Sequence, residues 1–377
     1  MTVTTQLEQP SIFGGRTKGS AQAQLSFRPV LYALDPEADP REEVVLGYAK
    51  PSGRLGLERS FLRQRMHLTP SYNLEARIPF SYQNDVPPGL ETVLVSYPKL
   101  VARFQSKPGD IFDDRNKRDL VVYFSTSLEL AGLSINGRRY FGGSLSDLKI
   151  EPEVRVVLPI LGKRWQPEQK VGNLTLALRA KVGFILAPDY GTTLRVGQAT
   201  TQTEITGDAA LRDQQKLLSR AFYSGGSTSN RGYSFSSISP HGPVGFLIPT
   251  RVNCVTDRDN PSCTRPLGGF TLWEASAELR FAGFYPLTIV AFADTSDVTR
   301  EIGVLGFKYP HLSVGPGLRY ESPVGPLRLD LGIRVPGAQA IGQSGLPGAD
   351  LNYPHGKEQP TLGPIPGAIW LAFGDAF

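Results

Sequence analysis

The sequence predicts an all-β fold, a transmembrane antiparallel β-barrel, on three observations. Apolar and polar residues alternate with a period of two in segment after segment. Gly and Pro are abundant, 40 and 31 among 377 residues, and both break helices and build turns. No run of about 18 or more apolar residues occurs, so no helix spans a bilayer. Hydrophobic content of 40% with a slightly negative mean hydropathy excludes a helical membrane protein. A barrel strand needs only about 9–11 residues with every second one apolar, so such a chain looks unremarkable in bulk.

The alternation holds along the chain. Near the start, Ala21, Ala23, Leu25 and Phe27 oppose Gln22, Gln24, Ser26 and Arg28. Leu120, Val122, Phe124, Leu128 and Leu130 oppose Tyr123, Ser125, Ser127 and Glu129. Leu174, Leu176, Leu178, Ala180, Val182 and Phe184 oppose Asn173, Thr175, Ala177, Arg179, Lys181 and Gly183. Trp273, Ala275, Ala277, Leu279 and Phe281 oppose Leu272, Glu274, Ser276, Glu278 and Arg280. Leu327, Leu329, Leu331, Ile333 and Val335 oppose Arg328, Asp330, Gly332 and Arg334. A helix would scatter these side chains around its circumference, whereas a strand puts each set on one side. A soluble β-sandwich also alternates. Against it, the polar faces pair opposite charges, as a polar lumen requires, and the segments exceed the usual 5 or 6 residues of a soluble strand.

Tight turns are expected at 321–326 and 282–286, and long polar outer loops at 32–45, 107–118, 188–215, 224–268 and 336–363. Alternating short and long connections are the habit of outer-membrane barrels. Because an unpaired backbone group in hydrocarbon costs several kcal/mol, residues 1–377 should form one closed domain. The chain ends on an amphipathic segment with Ile369, Leu371, Phe373 and Phe377 on one face. That resembles the terminal strand by which outer-membrane proteins are recognised for assembly.

Little points to covalent chemistry. The net charge of +5 comes from 40 basic and 35 acidic groups that are interspersed, with no arm for nucleic acid. His67, His241, His311 and His355 are scattered, and no nucleophile elbow, phosphate loop or dinucleotide fingerprint occurs. No catalytic residue, cofactor or metal is expected. Two cysteines are too few for a four-ligand zinc site. Cys254 and Cys263 suit a local disulfide in an oxidising compartment, contributing about 2.5–3 kcal/mol by ring closure. Met1-Thr-Val-Thr-Thr5 has neither the basic nor the apolar region of a signal peptide, so a mature fragment or a truncated gene product is expected.

Residues 220–242 run Arg-Ala-Phe-Tyr-Ser-Gly-Gly-Ser-Thr-Ser-Asn-Arg-Gly-Tyr-Ser-Phe-Ser-Ser-Ile-Ser-Pro-His-Gly. They are followed by Gly268-Gly269, Glu278-Leu-Arg-Phe281, Val290-Ala-Phe-Ala-Asp294, Gly315-Pro-Gly-Leu-Arg-Tyr320 and Ser322-Pro-Val-Gly-Pro-Leu-Arg-Leu-Asp330. In this order the pieces resemble the barrel domain of the BamA/TamA family of bacterial surface antigens. The N-terminal third matches loosely, at Pro10-Ser-Ile-Phe-Gly-Gly15.

The resemblance implies a sixteen-stranded barrel in the bacterial outer membrane, with the first strand missing from this chain and no POTRA domains. It implies a long loop, about 222–269, folded into the lumen and anchored by Asn230-Arg231-Gly232-Tyr233. Arg231 would bridge Glu278 and Asp294, since a guanidinium presents five donors in a fixed fork. Asn230 departs from the family's Val or Ile, which puts the seating of the loop in question. Ile369, Leu371, Phe373, Gly374 and Phe377 would carry the terminal-strand signal. The implied function is insertion or translocation of proteins by strand addition at a lateral seam, without covalent chemistry or ATP. Implied partners are outer-membrane lipid, unfolded outer-membrane or exported clients, and a POTRA-bearing region or lipoproteins. A two-partner-secretion pore, which shares the Arg-Gly-Tyr motif, is the alternative.

Overall fold

The computed structural model describes residues 2–12, 17–30, 46–81, 90–107, 120–135, 138–161, 173–195, 207–245, 253, 256, 263, 265–284, 286–307, 310–322, 325–335, 361–362 and 364–374. The alternating segments are strands: β1 (Thr2–Ile12), β2 (Thr17–Val30), β3 (Leu46–Phe61), β4 (Met66–Ser81), β5 (Val93–Gln105), β6 (Val121–Ala131), β7 (Asp147–Leu161) and β8 (Asn173–Leu186). Two helices follow, α1 (Thr192–Arg195) and α2 (Asp208–Arg220). The chain then returns to strands β9 (Thr271–Phe284), β10 (Leu287–Thr299), β11 (His311–Ser322), β12 (Gly325–Arg334), β13 (Thr361–Leu362) and β14 (Ile365–Phe373).

These strands form one fourteen-stranded antiparallel sheet whose spatial order follows the chain, except that β14 rather than the two-residue β13 pairs with β12. Among the described residues thirteen of these strands are long. Among the described residues no ladder joins β1 to β14. In a meander of thirteen long strands the first and last run in the same direction. Among the described residues β1 pairs only with β2, and it is exposed at ten of its eleven residues. Its ladder slips between Gln9 and Ile12, where Pro10 has no N–H to contribute.

Every long strand keeps its apolar face outward. Leu25, Phe27, Leu74, Leu100, Phe124, Leu128, Leu279, Leu318, Leu329 and Leu371 are all exposed. On the inward face Glu129, Glu278, Arg280, Asp294, Arg319, Arg328, Asp330 and Arg334 are buried. A soluble protein would invert this, because exposed charge and buried Leu are the cheaper arrangement in water. Trp273 and the Asp297 opposite it are outward residues that are buried. Trp273 lies beneath the 300–307 connection, its ring tilted against Phe307 at 4.9 Å and donating from Nε1 to the Gly306 carbonyl.

Antiparallel parity sorts the connections into two ends. The 62–65 turn and the connections from β9 to β10 and from β11 to β12 share one end, and the connections from β8 to β9 and from β10 to β11 share the other. β5 and β6 meet at the short-turn end, so strand parity does not group the stretch expected at 107–118 with the long loops; residues 108–119 themselves lie outside the described residues. The polarity of the stretch shows that it is a connection, but the end is set by the count of strands before it. The 187–270 connection carries α2, where sequence reading assigned only loop.

At the long-connection end the inward face changes character. Val93 and Val95 of β5, Ile185 of β8, Leu272 of β9 and Val298 of β10 surround Leu194 of α1 and Leu217 of α2. Tyr190, Phe222, Val244, Leu267 and Phe270 complete this cluster. An apolar core therefore sits inside the curl of the sheet at one end, and a charged interior occupies the middle.

Candidate lumen anchor site

The site is built by the tip of the 187–270 connection and the inward face of β9–β14. The tip folds on itself first. Gly225 and Gly226 take φ of +96° and +108°, conformations a residue with Cβ rarely adopts. The Gly226 N–H then donates to the Asn230 carbonyl at 3.1 Å and the Tyr233 N–H to the same carbonyl at 3.3 Å. A reciprocal pair of bonds between Ser224 and Ile238 closes the base. Asn230, Arg231 and Tyr233 project from this compact turn and are completely or almost completely buried.

The wall supplies their partners through period-two geometry and register. In β9 the even positions 274, 276, 278 and 280 face inward, and in β10 so do 292, 294 and 296. The ladder sets Ser276 opposite Asp294 and Glu278 opposite Phe292, so the two carboxylates lie diagonally, one strand apart. Arg231 reaches both. Its Nε and Nη2 donate to the two oxygens of Asp294 at 2.7 Å each, its Nη1 donates to Glu278, and its backbone N–H donates to Asp294 at 3.1 Å. Asp330 of β12 lies 3.7 Å from the same guanidinium, and the Phe292 ring lies beneath it at 3.5 Å. Burial works to strip Arg231 of its proton, but Asp294, Glu278 and Asp330 outweigh it and hold the pKa above the ordinary arginine value.

Further charges tie the strands together. Glu278 also accepts from Arg280 Nε at 2.8 Å and from Arg319 Nη2 at 3.2 Å, and Arg319 Nη1 donates to Asp330 at 2.6 Å. Glu278 and Asp330 each meet three guanidinium groups while Asp294 is matched by Arg231, so the network spans β9, β10, β11 and β12.

Asn230 is seated by polarity instead of by apolar packing. Its Nδ2 donates to the His311 carbonyl at 2.8 Å and to Ser296 Oγ at 3.1 Å, while Ser313 Oγ donates to its Oδ1 at 2.6 Å. The wall presents two hydroxyls and a carbonyl where an apolar residue would find no match. Gly232 permits close contact: a Cβ there would come within 2.5 Å of Ser313 Cβ. Tyr233 packs edge-on to His311 at 5.4 Å, with the Arg334 guanidinium 5.6 Å from its ring.

The loop tip also touches the last strand. Trp370 of β14 donates from Nε1 to the Arg231 carbonyl at 2.7 Å and packs edge-on to Phe235 at 4.7 Å. The structure thus brings Arg231, Glu278 and Asp294 together and adds Asp330, Arg319, Arg280 and Trp370, to which sequence reading gave no role at this site. Their alternating positions were visible, but not their meeting point, which depends on register. Ile369, Leu371 and Phe373 face outward and are exposed. Gly374 follows β14 with φ +84°, and Phe377 lies outside the described residues. Cys263 is disulfide-bonded; its expected partner Cys254 lies outside the described residues.

Comparison with known families matches residues 132–343 to the Omp85 superfamily domain. No curated protein matches the chain. Among solved structures, a similar fold is the crystal structure of BamA from Haemophilus ducreyi lacking POTRA domains 1-3. The TM-score is 0.54 at 13% identity, over 89% of this chain. The match spans 58% of that BamA chain.

Proposed function

The chain belongs to the Omp85 superfamily, an outer-membrane β-barrel family, and from that premise we propose that it inserts or translocates other proteins by strand addition, without covalent chemistry. An exposed strand edge offers a row of unpaired N–H and C=O groups on which an incoming strand can be built. The energy comes from backbone pairing and from burying apolar side chains in lipid, so neither ATP nor a cofactor enters. Its partners in this reading are outer-membrane lipid, unfolded clients, and a POTRA-bearing region or lipoproteins that deliver them.

One observation carries the proposal. The anchored loop grips the last strand through Trp370 while β14 pairs on the other side with β12. A seam strand fastened from inside holds its position while its outer edge engages another chain. In two-partner secretion a polypeptide passes through the lumen; here that lumen holds the loop and α2, which weighs against a passive conduit.

The test is insertion into liposomes. The reconstituted chain is mixed with a urea-unfolded outer-membrane barrel, and protease-protected client is followed over time. Faster protection than with empty liposomes is expected. Large steady conductance with no gain in client protection would overturn the proposal in favour of a pore.

A further inference from the structure

Residues 208–220 run Asp-Ala-Ala-Leu-Arg-Asp-Gln-Gln-Lys-Leu-Leu-Ser-Arg, rich in helix formers and with Leu211, Leu217 and Leu218 recurring near one face. The resulting α2 buries Gln214, Gln215, Leu217 and Arg220. Its C-terminal end is held by cations from the wall. Arg77 of β4 donates to the Leu218 and Ser219 carbonyls at 3.1 and 3.0 Å, and Lys149 of β7 donates to the Arg220 carbonyl at 3.4 Å. These are the carbonyls a helix leaves without partners, at the negative end of its dipole.

Arg220 then fastens the helix a second way. Its Nε and Nη2 form a fork on Asp147 of β7 at 2.8 Å each, and Nη1 lies 3.0 Å from Glu129 of β6. Tyr97 of β5 offers its ring face at 4.9 Å, and Tyr190 donates to Asp147 at 2.7 Å. Lys99 pairs with Glu129 at 2.7 Å from the far side. Four consecutive strands, β4 to β7, thus converge on one helix end, as the curl of the sheet around it allows. At the other flank Gln214 donates to the Pro243 carbonyl and accepts from the Gly245 N–H, each at 3.0 Å, tying the helix to the rest of the connection. None of these wall residues belongs to the Arg231 network on β9–β12.

We propose that α2 is a stopper closing the lumen at the long-connection end, locked by Arg220 in a socket formed by Asp147 and Glu129, with Arg77 capping the helix carbonyls beside it. The lock is separate from the Arg231 anchor: one fastens the helix to β4–β7 and the other fastens the loop tip to β9–β14. Freeing Arg220 unblocks the lumen and leaves the loop tip seated. The proposal concerns ion passage alone and does not depend on strand addition.

The test uses the full chain and its Arg220→Ala variant in planar bilayers, with hydrogen exchange of both proteins in detergent. Removing one partner of a buried charge cluster should raise open-state occupancy by roughly a hundredfold or more. Amides of 208–220 should lose protection while those of 224–238 keep it. Arg77→Ala, which removes only the cap on the carbonyls, should act in the same direction more weakly and serves if Arg220→Ala fails to fold. Conductance unchanged after α2 amides have lost protection would overturn the proposal, as would retained protection of α2 in a folded Arg220→Ala protein.

Discussion

Arg231 shows how much one side chain holds. It is fully buried and matched by Asp294 and Glu278. Removing it leaves the buried Asp294 carboxylate without its cation, while Glu278 keeps Arg280 and Arg319, and breaking such a buried pair costs about 3–5 kcal/mol. Arg231→Ala should therefore lower the urea midpoint of the folded, heat-modifiable form by a corresponding amount. Asn230→Val restores the family's apolar residue but strands the His311 carbonyl and the hydroxyls of Ser296 and Ser313. A loss of about 1–3 kcal/mol is expected in the same unfolding measurement. At this scale the motif Asn230-Arg231-Gly232-Tyr233 was legible, because an Arg-Gly-aromatic run stands out locally. The polar seat of Asn230 was not, since Ser296, His311 and Ser313 become neighbours only when β10 and β11 pair.

Strands were the most legible elements, because lipid on one side and charge on the other force a strict period of two. Leu329→Arg places a cation on the lipid face of β12 and should destabilise the inserted form by about 2–4 kcal/mol if it sits near the midplane. Arg in the place of outward Leu371, nearer the strand end, should cost less; folding efficiency into liposomes compares the two. In β14 the inward Trp370 is the coupling to the loop. Trp370→Phe keeps the ring but loses the Nε1 donor to the Arg231 carbonyl, costing about 1 kcal/mol. Faster amide exchange in Ile365–Phe373, with β9 and β10 unaffected, would register that loss. The helix α2 escaped sequence reading inside a long polar connection. Its apolar stripe was present, but what stabilises it is the socket on β4–β7, assembled from residues far away in the chain.

For the whole molecule, composition and alternation sufficed to predict a membrane β-sheet protein, because a sheet in lipid has to be apolar outside whatever its lumen does. Which end a connection occupies was not legible for 107–118, since that depends on every strand before it. The direction of the strands has a last consequence. Among the described residues seven long strands point one way and six the other, and β1 and β14 belong to the seven. A ring of alternating arrows needs equal numbers of both headings. Among the described strands β1 and β14 therefore run parallel to each other, and an antiparallel bridge between them takes an odd number of further strands. An arriving segment that shares the heading of β14 cannot bridge that gap by itself; its counter-running neighbour has to come first.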